Sequence, residues 1–161
     1  MVEMELLGVR LELPANAPDV LLRESTGDRR VLPIYIGPEE AKAIALALEG
    51  VTTPRPMTHD LMRDLLTALG ASVQRIVVTE LRDSTFFAEV ELALNGSTRR
   101  VSSRPSDAIA LAVRVGTPIF ASESVLDEAG HTASEEAEEA EDVVAEFREF
   151  IEKVNPEDFA S

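Results

Sequence analysis

The sequence predicts an α+β fold, with a mixed, largely antiparallel sheet, three packed helices and a further C-terminal helix. Strand-like segments of alternating polarity fall into two groups, and short connections rich in Pro, Gly, Asn, Asp and Ser join the strands within each group. Segments with helical spacing of apolar residues stand between and after these groups. A chain of 161 residues with 45% hydrophobic residues can bury one core and is too short for two ordinary domains.

The first third of the chain has the alternation of sheet. Strands are predicted at 4–13, 20–23 and 31–36, and the turn residues at 25–28 make the last two a hairpin. We therefore expect an antiparallel arrangement at the start of the sheet.

A first helix is predicted from Pro38 to Gly50. Proline suits the first helical position, and Glu39 and Glu40 lie in the first turn, where the helix dipole favours carboxylates. The body of this helix, residues 41–48, is small and apolar around most of its circumference. Such a helix is either buried on two sides or part of a subunit interface.

A second helix is predicted from Thr58, a good N-cap residue, to Gly70. Its apolar residues recur at helical spacing and form a clear apolar face. They are Leu61, Leu65 and Leu69, with Met62 and Leu66 beside them.

The middle of the chain predicts three more strands, a third helix and a short final strand. Asp83-Ser84 and Asn95-Gly96 are predicted as hairpin turns, the second being the strongest short hairpin signal in the chain. The strands are 73–81, 86–94, 99–102 and 118–121, the helix is 105–115 before Gly116, and a helical turn follows at 124–129.

The predicted organisation is one domain followed by a tether and a helix. The domain spans residues 1–130, an acidic flexible linker spans 131–142, and an amphipathic C-terminal helix spans 143–155. Residues 131–161 hold 11 acidic and 2 basic residues, so the acid is concentrated at this end. The helix is expected to dock on its own domain or on a partner chain.

Composition excludes several classes of function. The chain has no cysteine, which removes disulfide scaffolds, thiolate zinc sites and cysteine nucleophiles. It lacks an apolar run long enough to span a membrane, a visible secretory signal, a P-loop, a dinucleotide glycine motif and a serine-hydrolase elbow. A cytoplasmic protein is therefore expected. A net charge of −15 argues against non-specific electrostatic binding of nucleic acid.

Two predicted helix starts share one pattern, in which Arg-Pro is followed by a hydroxyl and an aspartate. An arginine, a hydroxyl and free backbone N–H groups at a helix N-terminus can bind an anion. Each aspartate either caps the helix and pairs with the arginine, or holds a divalent cation. The two segments are Arg55-Pro56-Met57-Thr58-His59-Asp60 and Arg104-Pro105-Ser106-Asp107.

His59 is one of two histidines, and the other, His131, lies in the acidic segment, where a solvated role is expected. A helix N-terminus disfavours the imidazolium form, so His59 is expected to be neutral and available as a base or a metal ligand. The alternative is a structural histidine bonded to a backbone carbonyl. The chain has no second histidine at ligand spacing, which argues against a zinc site.

At these residues the sequence resembles the bifunctional nuclease domain family. The resemblance extends over about residues 1–130 and also includes the ending 147–159, with Pro156-Glu157-Asp158-Phe159. It is carried by 31–37 (VLPIYIG), 55–61 (RPMTHDL), Phe87-Ala88 and 103–112 (SRPSDAIALA). It implies an α+β domain that self-associates and a nuclease activity on DNA and RNA.

The resemblance and the residues together lead us to expect a metal-assisted nuclease. Asp60 and Asp107 would hold Mg²⁺ or Mn²⁺, and His59 would act as a base or ligand. The expected phosphate-binding residues are Arg55, Thr58, Arg104 and Ser106. We expect nucleic acid as the partner, no membrane, and a homodimer formed through apolar surface such as the Ala-rich first helix.

Two alternatives remain open from the sequence. The first is a non-catalytic regulatory or ligand-binding module that binds a small anion or a carboxylate through a homodimer, which the strong negative charge favours. The second is a structural interaction protein organised by the Ala-rich and C-terminal helices. The acidic linker is a solubilising tether or a competitor for the arginines at 99, 100 and 104.

Overall fold

A computed structural model describes residues 1–12, 17–132, 148–149 and 151–152. Seven strands form one sheet and four helices accompany it, which confirms the predicted α+β class. The strands are β1 (Val2–Glu12), β2 (Ala17–Glu24), β3 (Val31–Tyr35), β4 (Ser72–Arg82), β5 (Thr85–Leu94), β6 (Ser97–Ser103) and β7 (Ile119–Ala121). The helices are α1 (Pro38–Leu48), α2 (Thr58–Ala68), α3 (Pro105–Val115) and α4 (Glu123–Ala129).

The sheet has the order β3-β2-β1-β7-β4-β5-β6. The two predicted strand groups each form an antiparallel unit, and the short strand β7 joins them at the centre. Ile119 of β7 pairs with Met4 of β1 in an antiparallel ladder and with Ile76 of β4 in a parallel one. The mixed character of the sheet therefore depends on this three-residue strand.

The two hairpin turns predicted in the second group are present. The central residues of both turns have positive φ, at 49° and 62° for Asp83 and Ser84 and at 51° and 76° for Asn95 and Gly96. Two-residue turns with this geometry match the right-handed twist of the flanking strands. The third helix also ends as predicted, since Gly116 stops it with a φ of 72°.

The main core lies between the sheet and the helices α1 and α3. Strands β2, β3 and β4 contribute branched aliphatic side chains, while the two helices contribute alanines, isoleucines and leucines. The small alanines allow α1 and α3 to approach each other closely, and α2 packs on α3. The fully buried members include Val20, Leu22, Leu32, Ile34, Ile44, Ile76, Val78, Ile109 and Leu111.

The Ala-rich helix α1 is buried on two sides, which was one of the two outcomes expected for it. Ala41 and Ile44 belong to the main core, whereas Ala45 and Leu46 pack with Ile151 from the end of the chain. Ile151 is 1% exposed. A segment of the predicted C-terminal helix thus docks on its own domain.

The rest of the predicted ending lies outside the described residues. Residues 148–149 and 151–152 are helical, and Arg148 donates a hydrogen bond of 3.1 Å to the carbonyl oxygen of Leu7. The linker from residue 133 and the remainder of the helix 143–155 are not described. His131 is exposed as expected, and its backbone pairs with that of Val31.

Helix α2 differs from the prediction at its start. Thr58 is the first helical residue, and the N-cap position is held by Met57. The Met57 N–H donates a hydrogen bond of 3.0 Å to Asp60 Oδ2. The cap therefore comes from a carboxylate inside the first turn, and Thr58 was wrongly predicted as the N-cap.

The apolar face of α2 is wider than its contact with the core. Met62 and Leu66 pack against the main core. Leu61, Leu65 and Leu69 are 51%, 53% and 74% exposed and form a stripe on the surface. Within the described residues, no helix has the length and apolar character needed to cross a bilayer.

Candidate active site

The first turns of α1, α2 and α3 meet beside a cavity of about 210 Å³, which we call the dyad cavity. The packing of α1 and α2 against α3 brings together side chains that are far apart in sequence. The cavity is lined by Glu39, Glu40, Lys42, Ala43, Leu46, Met57, Thr58, His59, Arg104, Asp107 and Arg114.

His59 and Asp107 form a hydrogen-bonded dyad at this cavity. Nε2 of His59 lies 2.9 Å from Oδ1 of Asp107. His59 is only 6% exposed, so this contact fixes the orientation of the ring. The other ring nitrogen, Nδ1, forms no hydrogen bond within the described part of the chain and is the atom left to exchange a proton with a bound molecule.

Arg104 links the dyad to α1. Its Nε donates to Asp107 Oδ2 at 2.9 Å, and its Nη2 donates to Asp107 Oδ1 at 3.2 Å and to Glu40 Oε1 at 3.1 Å. These hydrogen bonds, the one to Asp107 first, raise the pKa of Arg104 above its usual value. The side chain is 64% exposed, so an anion from solvent can reach the guanidinium.

Asp107 is held in its ionised form. Burial alone would raise its pKa, but hydrogen bonds from Arg104 and His59 outweigh burial and lower the pKa below the usual value of an aspartate. A carboxylate bonded to an imidazole stabilises the imidazolium that forms when the ring takes up a proton. The pair therefore has the geometry of a general base and the group that orients it.

Asp60 does not face the dyad cavity. It lines a second cavity of about 350 Å³, the arginine cavity, together with Arg55, Arg63 and Arg114. Its Oδ1 accepts a hydrogen bond of 2.7 Å from Arg114 Nε. Burial raises the pKa of Asp60, while the Met57 N–H and Arg114 lower it, and the net effect is a lowered pKa.

Arg114 is a residue that the sequence analysis missed. Its side chain is 6% exposed and connects three helices. Besides the ion pair with Asp60, it donates to the carbonyl oxygens of Ala110 at 2.8 Å and Ala43 at 3.0 Å. An arginine between Val113 and Val115 of an apolar helix is the sequence signal that could have indicated it.

The structure distributes the predicted site residues over three cavities. Thr58, His59, Asp107 and Arg104 line the dyad cavity, and Asp60 and Arg55 line the arginine cavity. Ser106 lines a third cavity of about 370 Å³, and Arg104 also contributes to its wall. Glu40 and Lys42 also line the dyad cavity.

The positions of Asp60 and Asp107 determine whether they could hold the expected divalent cation together. Asp60 and Asp107 line different cavities, and each is ion-paired with an arginine. Among the described residues, no three His, Asp or Glu side chains are grouped so that they could hold a metal ion. The arrangement does not fit a cation shared by the two aspartates, and Arg104 supplies positive charge at Asp107.

Comparison with known proteins connects this site to one family. A family model described as the bifunctional nuclease domain matches residues 20–134, which include every residue of the dyad cavity. An uncharacterized protein of Mycobacterium tuberculosis is 47% identical over 165 residues, covering 99% of this chain and 98% of that protein.

Plant relatives match over part of their length. Bifunctional nuclease 2 of Arabidopsis thaliana is 31% identical over 112 residues, or 66% of this chain and 34% of that protein. Bifunctional nuclease 1 of Oryza sativa subsp. indica is 27% identical over 114 residues, or 68% of this chain and 34% of that protein. The chain thus spans about a third of these plant proteins. Because the family model matches well over half of the chain, this protein belongs to the bifunctional nuclease domain family.

Proposed function

We propose that this protein hydrolyses phosphodiester bonds of nucleic acid at the dyad cavity. The observation that carries the proposal is the 2.9 Å contact between His59 Nε2 and Asp107 Oδ1, with Arg104 bonded to the same carboxylate. A base, the group that orients it and an accessible cation are thereby within one cavity.

In the proposed reaction, His59 takes a proton from a water molecule as the water oxygen attacks phosphorus. The bond from phosphorus to the leaving sugar oxygen breaks, and that oxygen is protonated from solvent. Asp107 stabilises the imidazolium, while Arg104 and Lys42 lie on the cavity wall, where they can offset negative charge on the phosphoryl oxygens. Arg104 would exchange one carboxylate contact for the phosphate.

Both DNA and RNA are proposed as substrates. A water nucleophile does not need the 2′-hydroxyl of RNA, so the chemistry is open to both polymers. The plant relatives carry the name bifunctional nuclease, which supports a nuclease function for the shared domain. A cytoplasmic location, expected from the sequence, stays a prediction.

A cation-assisted form of the reaction is the second version of this proposal. It would require Arg104 to leave Asp107, because the guanidinium occupies both carboxylate oxygens. Cleavage measured with Mg²⁺, with Mn²⁺ and with EDTA separates the two versions. Full activity in EDTA would support the dyad alone, and strict metal dependence would support the cation-assisted version.

The test uses the two histidines of the chain as a matched pair. Highly purified wild type, His59→Gln and His131→Gln are compared on single- and double-stranded DNA and RNA. Loss of the general base should lower the rate by roughly 100-fold or more in His59→Gln. His131 is exposed and distant in sequence from the dyad, so His131→Gln should cleave like the wild type.

Equal cleavage by all three proteins would indicate a contaminating nuclease and would contradict the proposal. A circular dichroism melt of each variant shows whether it is folded, so a loss of activity through unfolding is recognised. Asp107→Asn provides a further check, because it keeps the shape of the side chain and removes its charge. It should lower the rate without abolishing nucleic-acid binding.

A non-catalytic anion-binding module is the alternative that the charge distribution favours. The net charge is −15, and a free-standing nuclease benefits from a positive field that steers its substrate. In this alternative, Arg104 and the arginine cavity would hold a small anion or a carboxylate. Thermal shift with phosphate, nucleotides and divalent ions would then show stabilisation without any cleavage by the wild type.

A homodimer is also part of the proposal, with α2 as the contact. The apolar side of α1 is covered within the chain, whereas the α2 stripe of Leu61, Leu65 and Leu69 is exposed. An antiparallel pairing of two α2 helices centred on Leu65 would place Leu61 of one copy opposite Leu69 of the other and cover the stripe.

A further inference from the structure

We propose that the third cavity binds a nucleobase of a single-stranded nucleic acid, stacked on Tyr35, while the adjoining phosphate lies at Arg104. This inference rests on the proposed nuclease function and specifies the form of its substrate. We call the site the tyrosine cavity. It is lined by Ile34, Tyr35, Ile36, Gly37, Ser84, Thr85, Phe86, Arg104, Pro105 and Ser106.

The position of this cavity follows from the fold. It lies where the end of β3, the turn between β4 and β5, and the start of α3 come together. Its volume of about 370 Å³ is within the range of small-molecule sites, which begins at about 300 Å³. The cavity is therefore large enough to accept one planar ring system from a longer chain.

The lining has the chemistry that a nucleobase requires. Tyr35 is 65% exposed and presents an aromatic side chain, and the half-buried Phe86 adds a second. Aromatic rings stack on bases of any identity, since every base has a π-face. Ser84 and Thr85 also line the cavity, and a hydroxyl can bond the polar edge of a base.

Ser106 adds a hydrogen-bonding group to the wall of this cavity. It is only 5% exposed and lines this cavity, yet its hydroxyl forms no hydrogen bond within the residues that the structure describes. This hydroxyl is not among the fully buried polar atoms that lack a partner, so it is accessible from the cavity. A base edge in the cavity would be a hydrogen-bond partner for it.

Arg104 connects the two cavities, because it contributes to the walls of both. A phosphate bound by its exposed guanidinium would have the dyad on one side and the tyrosine cavity on the other. The bond to be cleaved and the base that identifies the substrate would thus be held by consecutive parts of one strand. Binding of the base would position the scissile phosphate beside His59.

A preference for unpaired nucleic acid follows from this arrangement. A base in a duplex is stacked and paired, and it can enter a side cavity only after being extruded at a cost of a few kcal/mol. Single strands, loops and frayed ends avoid that cost. We therefore expect faster cleavage and tighter binding of single strands than of duplexes of the same sequence.

The test measures binding without cleavage, in the His59→Gln background. Two labelled single-stranded oligonucleotides of equal length and charge are compared, one with bases and one made entirely of abasic residues. With the cavity intact, the base-bearing oligonucleotide should bind roughly tenfold or more tightly than the abasic one. Fluorescence polarisation gives both dissociation constants.

Variants of the cavity locate the effect. Tyr35→Leu should reduce the affinity for the base-bearing oligonucleotide to that for the abasic one, whereas Tyr35→Phe retains the ring and should retain the preference. Ser106→Ala should weaken the binding of the base-bearing oligonucleotide and leave the binding of the abasic one unchanged. Tyr35 is exposed, and circular dichroism of each variant checks that the fold is unchanged.

The outcomes separate this inference from the proposed function. Equal affinity for both oligonucleotides, or a preference that survives Tyr35→Leu, would overturn the base site while leaving cleavage by the dyad standing. A wild-type protein that neither binds nor cleaves nucleic acid would overturn the proposed function and the base site with it. Equal cleavage of single strands and duplexes by the wild type would also contradict the inference.

Discussion

Arg104 and Arg114, which stand ten residues apart at the two ends of α3, both pair with an aspartate but in different surroundings. The side chain of Arg104 is 64% exposed, and that of Arg114 is 6% exposed. An exposed guanidinium can exchange a carboxylate for a phosphate at little cost, whereas a buried one leaves an unpaired charge behind if its partner is lost. We therefore assign ligand binding to Arg104 and structural support to Arg114.

The structural role of Arg114 can be measured with Arg63 as a control. Arg114→Met removes the hydrogen bonds to Asp60, Ala43 and Ala110 and leaves a partly buried carboxylate unpaired. We expect the free energy of unfolding to fall by about 3 kcal/mol. Arg63→Met breaks an exposed pair with Asp64 and should change it by less than about 0.5 kcal/mol. Urea denaturation followed by circular dichroism checks both values.

The lowered pKa of Asp60 predicts the pH dependence of the same contact. The unfolded chain binds a proton at this carboxyl more readily than the folded chain, so the pair stabilises the fold above the unfolded pKa of about 3.9. That stabilisation is lost as the pH falls through the folded pKa. The loss of unfolding free energy caused by Asp60→Asn should therefore be largest near neutral pH and become smaller in acid.

Urea denaturation over a pH series tests this expectation, with Arg114→Met as the companion variant. Both substitutions remove the same ion pair, so the loss of unfolding free energy that each one causes should decrease over the same pH range. If the loss of unfolding free energy in Asp60→Asn stays constant down to the lowest pH, the side chain stabilises the fold through its shape or its hydrogen bond to the Met57 N–H, and not through its charge.

At the residue scale, the sequence predicts site residues better than it predicts their partners. His59 and Asp107 were identified because each lies in a motif at a helix start, but 48 residues separate them and no local pattern indicates their contact. The alternative roles of an aspartate at a helix start could be stated from the sequence. Only the packing of α2 on α3 shows that Asp60 pairs with Arg114, a residue that lies outside both helix-start motifs.

At the scale of elements, the strands and hairpins were predictable because their signals are local. Alternating polarity and the turns at Asp83-Ser84 and Asn95-Gly96 define the second antiparallel group within one or two residues at each end. The position of β7 is different, since three residues carry little pattern. No local pattern indicates its insertion between β1 and β4, and none indicates the packing of α1 and α2 on α3 that forms the dyad cavity.

The apolar periodicity of α2 correctly predicts a helix, but it does not show which of the apolar side chains contact the core. Its five large apolar residues divide into a core-facing pair and an exposed stripe, and periodicity does not distinguish them. Leu65 lies at the centre of the stripe. If two copies pair through α2, Leu65→Glu should shift the population from dimer to monomer, since it would bury a charge in the interface.

Thr67→Glu is the matched control for this prediction. Thr67 is exposed on α2 and lies roughly opposite Leu65 around the helix, so the same charge is added away from the stripe. Size-exclusion chromatography with light scattering gives the mass of each protein. A wild type that is monomeric at all concentrations, or a Leu65→Glu variant that remains dimeric, would contradict the proposed interface.

At the scale of the whole molecule, local and overall charge oppose each other. The lining of the arginine cavity has three arginines and one aspartate, whereas the dyad cavity has three basic and three acidic side chains. The chain as a whole has a net charge of −15, and residues 131–161 carry 11 of its acidic residues. A polyanion approaching from a distance is therefore repelled before it reaches the arginines.

This opposition leads to the hypothesis that the acidic segment restrains nucleic-acid binding. The segment 133–142 contains six acidic residues and no basic one. Changing its five glutamates to Gln and Asp142 to Asn keeps the length of the chain and the docked Ile151. We expect this neutralised chain to bind a single-stranded oligonucleotide roughly threefold or more tightly at low ionic strength, where the Debye length is about 30 Å at 0.01 M.

Salt concentration and a shuffled sequence identify the cause. Above about 0.5 M salt the Debye length is only a few ångströms, so the neutralised chain and the wild type should bind alike. A chain in which residues 133–142 keep their composition in a different order keeps the charge, and it should match the wild type at every salt concentration. Tighter binding by the shuffled chain would point to a specific contact of the segment, and unchanged binding by the neutralised chain at low salt would reject the restraint altogether.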